Sequence, residues 1–167
     1  MEDATEITGR RPAVSPHLQL IIWRDVFVLV DDGRAAAADY SRLGNLITEQ
    51  AAKHPFGVAG LTVIPPNAQP PTPEAREAIS NLLASLANKL RGACWLVEGG
   101  GFQGAMVRAV LTGLRLFGRY PYATHVSTQL TEALTWLLPQ LADGNARLAD
   151  LGKAADYITL QRARANV

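Results

Sequence analysis

Gly99, Gly101 and Gly104 lie in the stretch GGGFQG, between the apolar run ACWLVE and the helix-forming stretch AMVRAVLTGL. Glycines spaced Gly-x-Gly-x-x-Gly between a strand and a helix can cradle a pyrophosphate, because the backbone approaches closely and the helix amides face the ligand. That chemistry needs a context this chain lacks. The glycines follow the fourth strand-like segment, not the first, and about twenty residues beyond Gly104 stands Thr124 instead of a carboxylate for a ribose. No Gly-Lys-Ser/Thr is present either. The glycines therefore read as a sharp corner, with Phe102 folding back over the sheet edge. A second reading stays open, in which Gly99, Gly100, Gly101, Gln103 and Gly104 offer exposed amides to an anion or other small ligand.

The remaining reactive side chains do not form a catalytic set. His17, His54 and His125 are far apart and lack a second histidine or a cysteine at metal-ligand spacing. Cys94, the single cysteine, sits in ACWLV and reads as a small buried hydrophobe. There is no Gly-x-Ser-x-Gly elbow, and Asp31-Asp32 ends a strand, where aspartates ordinarily make turns. The expectation is a protein that is not an enzyme, with no metal and no cofactor. Two surface features remain. Arg108, Thr112, Arg115 and Arg119 recur at helical spacing, either as a solvated face or as a docking stripe for an acidic partner. Thr72 precedes Pro73 and Glu74, which suits a helix N-cap, with a phosphorylation site as the alternative.

These residues must be positioned by an alternating set of elements. Leu18 to Trp23 and Val26 to Val30 are strand-like runs around Arg24-Asp25, and predict a hairpin, or else one long strand. Tyr40, Leu43, Leu46, Ile47 and Ala51 give an apolar helix face that Pro55 terminates; Gly44 weakens it unless a neighbour packs closely there. GVAGLTVI is a strand, followed by PPNAQPP, which is either a surface connection or a stiff recognition edge. A helix from Thr72 buries Ile79, Leu82, Leu83, Leu86 and Leu90, ACWLVE is a strand covered on both faces, and a third helix runs from about Gln103 to Leu116. Ala123 to Ser127 makes a last strand, and Thr128 caps a helix through Leu141. The order is β-β-α-β-α-β-α-β-α, which means an α/β domain with a mixed, mainly parallel sheet.

Residues 1–16 show no hydrophobic period and read as a flexible leader. The domain proper spans 17–142. In the helical tail, 143–167, Leu148, Leu151, Ala155 and Ile158 share a face that packs on its own domain, clasps a partner subunit, or frays; its basic end QRARANV reads as disordered.

A chain of 167 residues with 48% hydrophobic and 19% charged residues suits one folded domain. A net charge of +1 gives no global reason to bind nucleic acid. The polar start carries no signal-peptide core and no segment is apolar enough for membrane insertion, so the expected location is cytoplasmic.

The stretch VRAVLTGLRLFGRYPYATHVSTQLTEALTWLLPQL, residues 107–141, resembles the closing helix-strand-helix of STAS domains. The counterparts are Val107-Arg108, Gly113-Leu114, His125-Val126-Ser127 and Glu132-Ala133-Leu134, and the element order over 18–141 also fits. The wider STAS-like group includes SpoIIAA-like and SEC14-like proteins. The resemblance implies a single STAS-like α/β domain acting as a non-catalytic protein-interaction and signalling module in the bacterial cytoplasm, with a protein partner or a homodimer. SEC14-like relatives imply the alternative of a carrier or sensor for a lipid or anion near Gly99–Gly104. One family element is replaced: the Asp-Ser-Ser-Gly turn that carries a phosphorylated serine corresponds here to PPNAQPPTPEAREA, which has no serine in the turn and places Thr72 nearest.

Overall fold

A computed structural model of the chain describes residues 13–101, 104–105, 107–108 and 120–165. The described residues begin in β1 (Ala13–Ser15), a strand antiparallel to β2 (Leu18–Trp23). Residues 13–15 were expected within the leader. Three residues are too few to show a period, and the strand is held instead by contacts remote in sequence. Val14 is buried, and its carbonyl accepts a 3.0 Å hydrogen bond from Nη1 of Arg42.

The hairpin reading of the next two runs is correct. β2 pairs antiparallel with β3 (Val26–Asp31), Trp23 lying opposite Val26, and Arg24 takes a left-handed φ of 54° in the turn. Then follow α1 (Ala37–Ala51), β4 (Val58–Ile64), α2 (Pro73–Leu86), β5 (Leu90–Val97) and β6 (Ala123–Ser127). Between β5 and β6, residues 101, 104, 105, 107 and 108 are helical, and the rest of the expected third helix lies outside the described residues. After β6 come α3 (Leu130–Leu137), two 3-10 segments (Leu138–Gln140 and Gly144–Asp150) and α4 (Leu151–Ala165).

Among the described residues the sheet has six strands in the order β1-β2-β3-β4-β5-β6, antiparallel up to β3 and parallel from there on. Every strand thus lies beside its predecessor. Right-handed crossovers in one constant direction place their helices on one face. Accordingly α1 and α2 share a core with Leu18, Leu20, Ile22, Phe27, Val58 and Leu90. The alternate residues Ile21, Trp23, Val26, Val28, Leu61, Cys94 and Leu96 face the other way, against α3 and α4. This two-sided cover explains why the stretch Ala93–Val97 of β5 reads as a continuous apolar run rather than an alternating one.

Two local expectations are met by specific contacts. Thr72 Oγ1 accepts from the Ala75 amide at 3.2 Å and Pro73 occupies the first turn, so Thr72 is the N-cap of α2. Gly44 is where the two helices approach: a Cβ built there would lie 3.2 Å from Leu82 Cδ1. Thr128, by contrast, does not cap α3. Gln129 holds that position, and Ser127 does the bonding, accepting from the Gln129 amide at 3.3 Å and donating to Glu132 Oε2 at 2.8 Å. The expected run to Leu141 also stops early. Pro139 carries no amide hydrogen for a helical bond, and the chain tightens into a 3-10 turn at Leu138–Gln140.

The tail packs on its own domain. Ala154 and Ile158 are fully buried, and Leu151, Ala155 and Tyr157 pack around them. Of its basic end, α4 includes residues through Ala165, and Arg162 holds Glu98 with two hydrogen bonds of 2.6 and 2.7 Å, while residues 166–167 lie outside the described residues. At the opposite end of the tail, Arg147 grips Asp25 and Asp150 accepts from Arg24 at 2.7 Å. The polar pair that interrupts the two apolar strands is therefore the hairpin's attachment to the tail.

Candidate functional site

The carboxyl ends of parallel strands are where open α/β sheets ordinarily place ligands. Here that edge gathers the ends of β3, β4 and β5, the glycine loop and the proline loop. β5 continues one bond past its last residue, the Glu98 amide donating to the Ile64 carbonyl at 2.9 Å. The chain then turns with left-handed φ values of 87° at Gly99 and 78° at Gly101. Gly104 is buried for a different reason. A Cβ there would lie 2.7 Å from the Gly99 carbonyl oxygen and 3.1 Å from Nη1 of Arg108. Two glycines thus supply backbone freedom and a third supplies room, whereas Gly100 has open space around it. The corner accounts for the glycine spacing without a ligand.

Of the predicted arginine stripe, Arg108 is the member among the described residues; it is half-buried, with its Nη1 close to Gly104. The reason is helical geometry, since a side chain four residues after Gly104 lies over the turn before it. Thr112, Arg115 and Arg119, together with Gln103 and Phe102, lie outside the described residues.

At the end of β3 the paired aspartates have separate tasks. Asp31 accepts from the Gly33 amide and from the Tyr40 hydroxyl, each at 2.8 Å. Burial raises its pKa, and these hydrogen bonds only partly offset that. The same contact, with burial, pushes the Tyr40 phenol well above its ordinary range. Asp32 accepts from the Arg34 amide at 3.0 Å, from Arg34 Nη2 at 2.6 Å and shares a 2.9 Å contact with His17 Nδ1. Burial acts upward on Asp32 too, but the Arg34 and His17 hydrogen bonds outweigh it and hold the carboxyl below its usual range.

Across these strand ends lies the proline loop. The Gln69 amide donates to the Asp32 carbonyl at 2.8 Å. A Cβ on Gly33, whose φ is 79°, would collide with the Gln69 carbonyl oxygen at 1.6 Å. A Cβ on Gly99 would lie 3.0 Å from Pro66 Cβ. The loop is thus seated on one glycine from each neighbouring strand end, which covers the edge from β3 to β5.

The other candidates are placed elsewhere. Cys94 is buried in the α3 face, where burial first and the Glu132 charge second push its thiol up to about 12. His125 stacks on Trp136 with ring centroids 5.1 Å apart. His54 borders a cleft of about 370 Å³ with Phe56, Asp143 and Arg147 at the far end of the sheet. Among the described residues no group of His, Cys, Asp or Glu has the geometry to hold a metal ion. No helix among them is long and apolar enough to cross a membrane. A larger trough, about 510 Å³, runs between α1 and α2. Thr72 is exposed beside it, its hydroxyl and the Glu74 amide keeping the Glu74 carboxyl below its ordinary range.

Sequence reasoning missed the His17–Asp32–Arg34 cluster and the Glu98–Arg162 pair. The available signal for the first was the hairpin itself, whose ends must meet, His17 preceding β2 and Asp32 following β3. Comparison of the chain with protein-family profiles, with curated proteins and with solved structures finds no match.

Proposed function

We propose that the chain is a non-catalytic, STAS-like protein-interaction and signalling module of the bacterial cytoplasm, working through a protein partner or a second copy of itself. The observation that supports this reading is the seat of the proline loop. The edge at which an α/β sheet would take a small molecule is occupied by the chain's own Pro66 and Gln69, packed on Gly99 and Gly33. The unidirectional strand order adds to it, because a sheet whose order never reverses has no switch-point crevice for a nucleotide. What remains for recognition is helix surface.

A second reading has one observation in its favour. Arg108 Nη1 lies beside Gly104, 3.1 Å from where a Cβ there would stand, so an anion or a lipid headgroup at Gly99–Gly104 would meet a guanidinium as well as amides. Native mass spectrometry of the full chain, gently isolated from its own cells, separates the two. The interaction reading expects added mass that is polypeptide, either a partner or a second 18.0 kDa chain. A small-molecule mass that departs on denaturation overturns it in favour of the carrier.

A further inference from the structure

The tail is joined to the sheet domain by a short and strained connection. Residues 141–143 alone separate the 3-10 segments Leu138–Gln140 and Gly144–Asp150. Asp143 takes a left-handed φ of 70°, and Gly144 follows with 49°. Glycine accepts that conformation freely, whereas an aspartate holds it at a cost.

The contacts that keep the tail in place are remote in sequence. Among the described residues, its hydrogen bonds to the body beyond the connection run from side chain to side chain. Arg147 donates to Asp25, Arg24 to Asp150 and Arg162 to Glu98, the partners standing 122, 126 and 64 residues apart. Ala154 and Ile158 pack on a sheet face built by earlier strands, with Ile21, Trp23 and Val28 in it. A second copy of the chain presents the same face and the same three partners. One apolar side chain beside the connection also stands out in solvent. Phe56 is 73% exposed and borders the cleft that Ala142, Asp143 and Arg147 line.

Short connections under strain favour exchange of the element they carry between two copies, because the exchanged form extends the connection and keeps the other contacts. We infer that two copies of this chain exchange residues 144–165, each tail closing on the other's sheet face. Three extended residues reach roughly 10 Å, so the two bodies meet beside the connection and Phe56 enters their junction. The inference rests on the interaction reading and deepens it, with the second copy as partner and the tail as clasp.

The test refolds the full chain from urea, alone or as a mixture of two variants, and weighs the products by native mass spectrometry. Wild-type chain should give a dimer of two 18.0 kDa chains. Glu98→Arg and Arg162→Glu each set like charges together, in the closed monomer and in the exchanged dimer alike. Each alone should therefore keep the wild-type proportion of dimer. Mixed, they regain opposite charges only by exchange: Arg162 of one chain meets Glu98 of the other, and the two introduced charges meet each other. The mixed dimer should outnumber the two like dimers about tenfold. Asp143→Gly removes the strain from the closed form and should weaken the dimer about tenfold. Phe56→Ser should weaken it about fivefold without moving the melting curve of the monomer. The charge reversals fall on positions about a quarter exposed; where either fails to refold, Asp143→Gly and Phe56→Ser carry the test. A wild-type chain that stays monomeric across a concentration series overturns the inference, as does a dimer that Asp143→Gly strengthens. A dimer indifferent to these variants and mixtures, or a chain that binds only a foreign polypeptide, overturns the exchange while leaving the interaction reading intact. A monomer that carries only a small molecule removes both.

Discussion

Arg147 holds both carboxylate oxygens of Asp25, at 2.9 and 2.7 Å, across 122 residues of sequence. Asp25 is only 6% exposed, in the hairpin turn between β2 and β3, and its own carbonyl accepts from the Ala59 amide at 2.9 Å. The pair therefore ties the tail to a turn that is itself tied to the first parallel strand pair. A desolvated ion pair of this kind is unforgiving when one half is removed, because the remaining charge stays buried alone.

Arg147→Met should therefore destabilise the chain by about 3 kcal/mol. Adding Asp25→Asn should restore most of that, since the uncompensated charge is gone. Urea denaturation of the two single variants and the double variant measures the coupling. Additive losses would mean that the pair contributes no mutual stabilisation.

The second tail contact should weigh less. Arg162 and Glu98 are each about a quarter exposed (25% and 27%), so Arg162→Ala should cost 1 kcal/mol or less, on the order of a solvated pair. Ile158, wholly buried, should cost about 3 kcal/mol as Ile158→Ala. Equal losses in the urea curves would contradict this ranking and shift the tail's anchorage from packing to charge.

Glycine replacements should rank by the space and the φ found at each site. Gly33→Ala meets the Gln69 carbonyl at 1.6 Å and a φ of 79°, and should dislodge the proline loop. Gly101→Ala has room but a φ of 78°, a strain of about 1–2 kcal/mol. Gly100→Ala has room and no left-handed φ, and should change stability by less than about 0.5 kcal/mol. Melting temperatures of the three variants give the order directly.

Asp31 and Asp32 should pull the acid stability of the chain in opposite directions. Asp32 is held below its ordinary pKa in the fold, so its contribution is present above the unfolded value and disappears as pH falls through the lowered one. Asp31 is raised, so its contribution is present below the unfolded value and disappears as pH rises through the raised one. Asp32→Asn should flatten the loss of stability on acidification, and Asp31→Asn should steepen it. Unfolding free energies measured from pH 6 down to pH 2.5 settle the signs.

Much of this arrangement can be read from local chemistry. The apolar runs of β2, β3, β4 and β5 and the Thr72-Pro73-Glu74 opening of α2 each follow from residue type and spacing within one segment. The features that escaped such reading depend on which of several possible partners a side chain or strand meets. β1 has no period of its own and exists because Arg42 and the β2 edge receive it. Thr128 carries the better capping side chain, yet Ser127 is the one turned toward Glu132 and the Gln129 amide. The candidate site divides in the same way. The glycine corner is legible from GGGFQG, but the loop that covers it is not, since Pro66 and Gln69 find Gly99 and Gly33 only after three strands have been laid side by side.

Because each strand neighbours the one synthesised just before it, the sheet can grow in step with the ribosome, every new strand finding its partner in the segment that emerged last. The cover of one face does not keep that pace. Ile21, Trp23 and Val28 emerge early, but the side chains that shield them, from Leu134 to Ile158, are made more than a hundred residues later. During that interval the nascent chain presents an apolar sheet face to the cell, a surface that a chaperone would recognise and a neighbouring nascent chain could stick to.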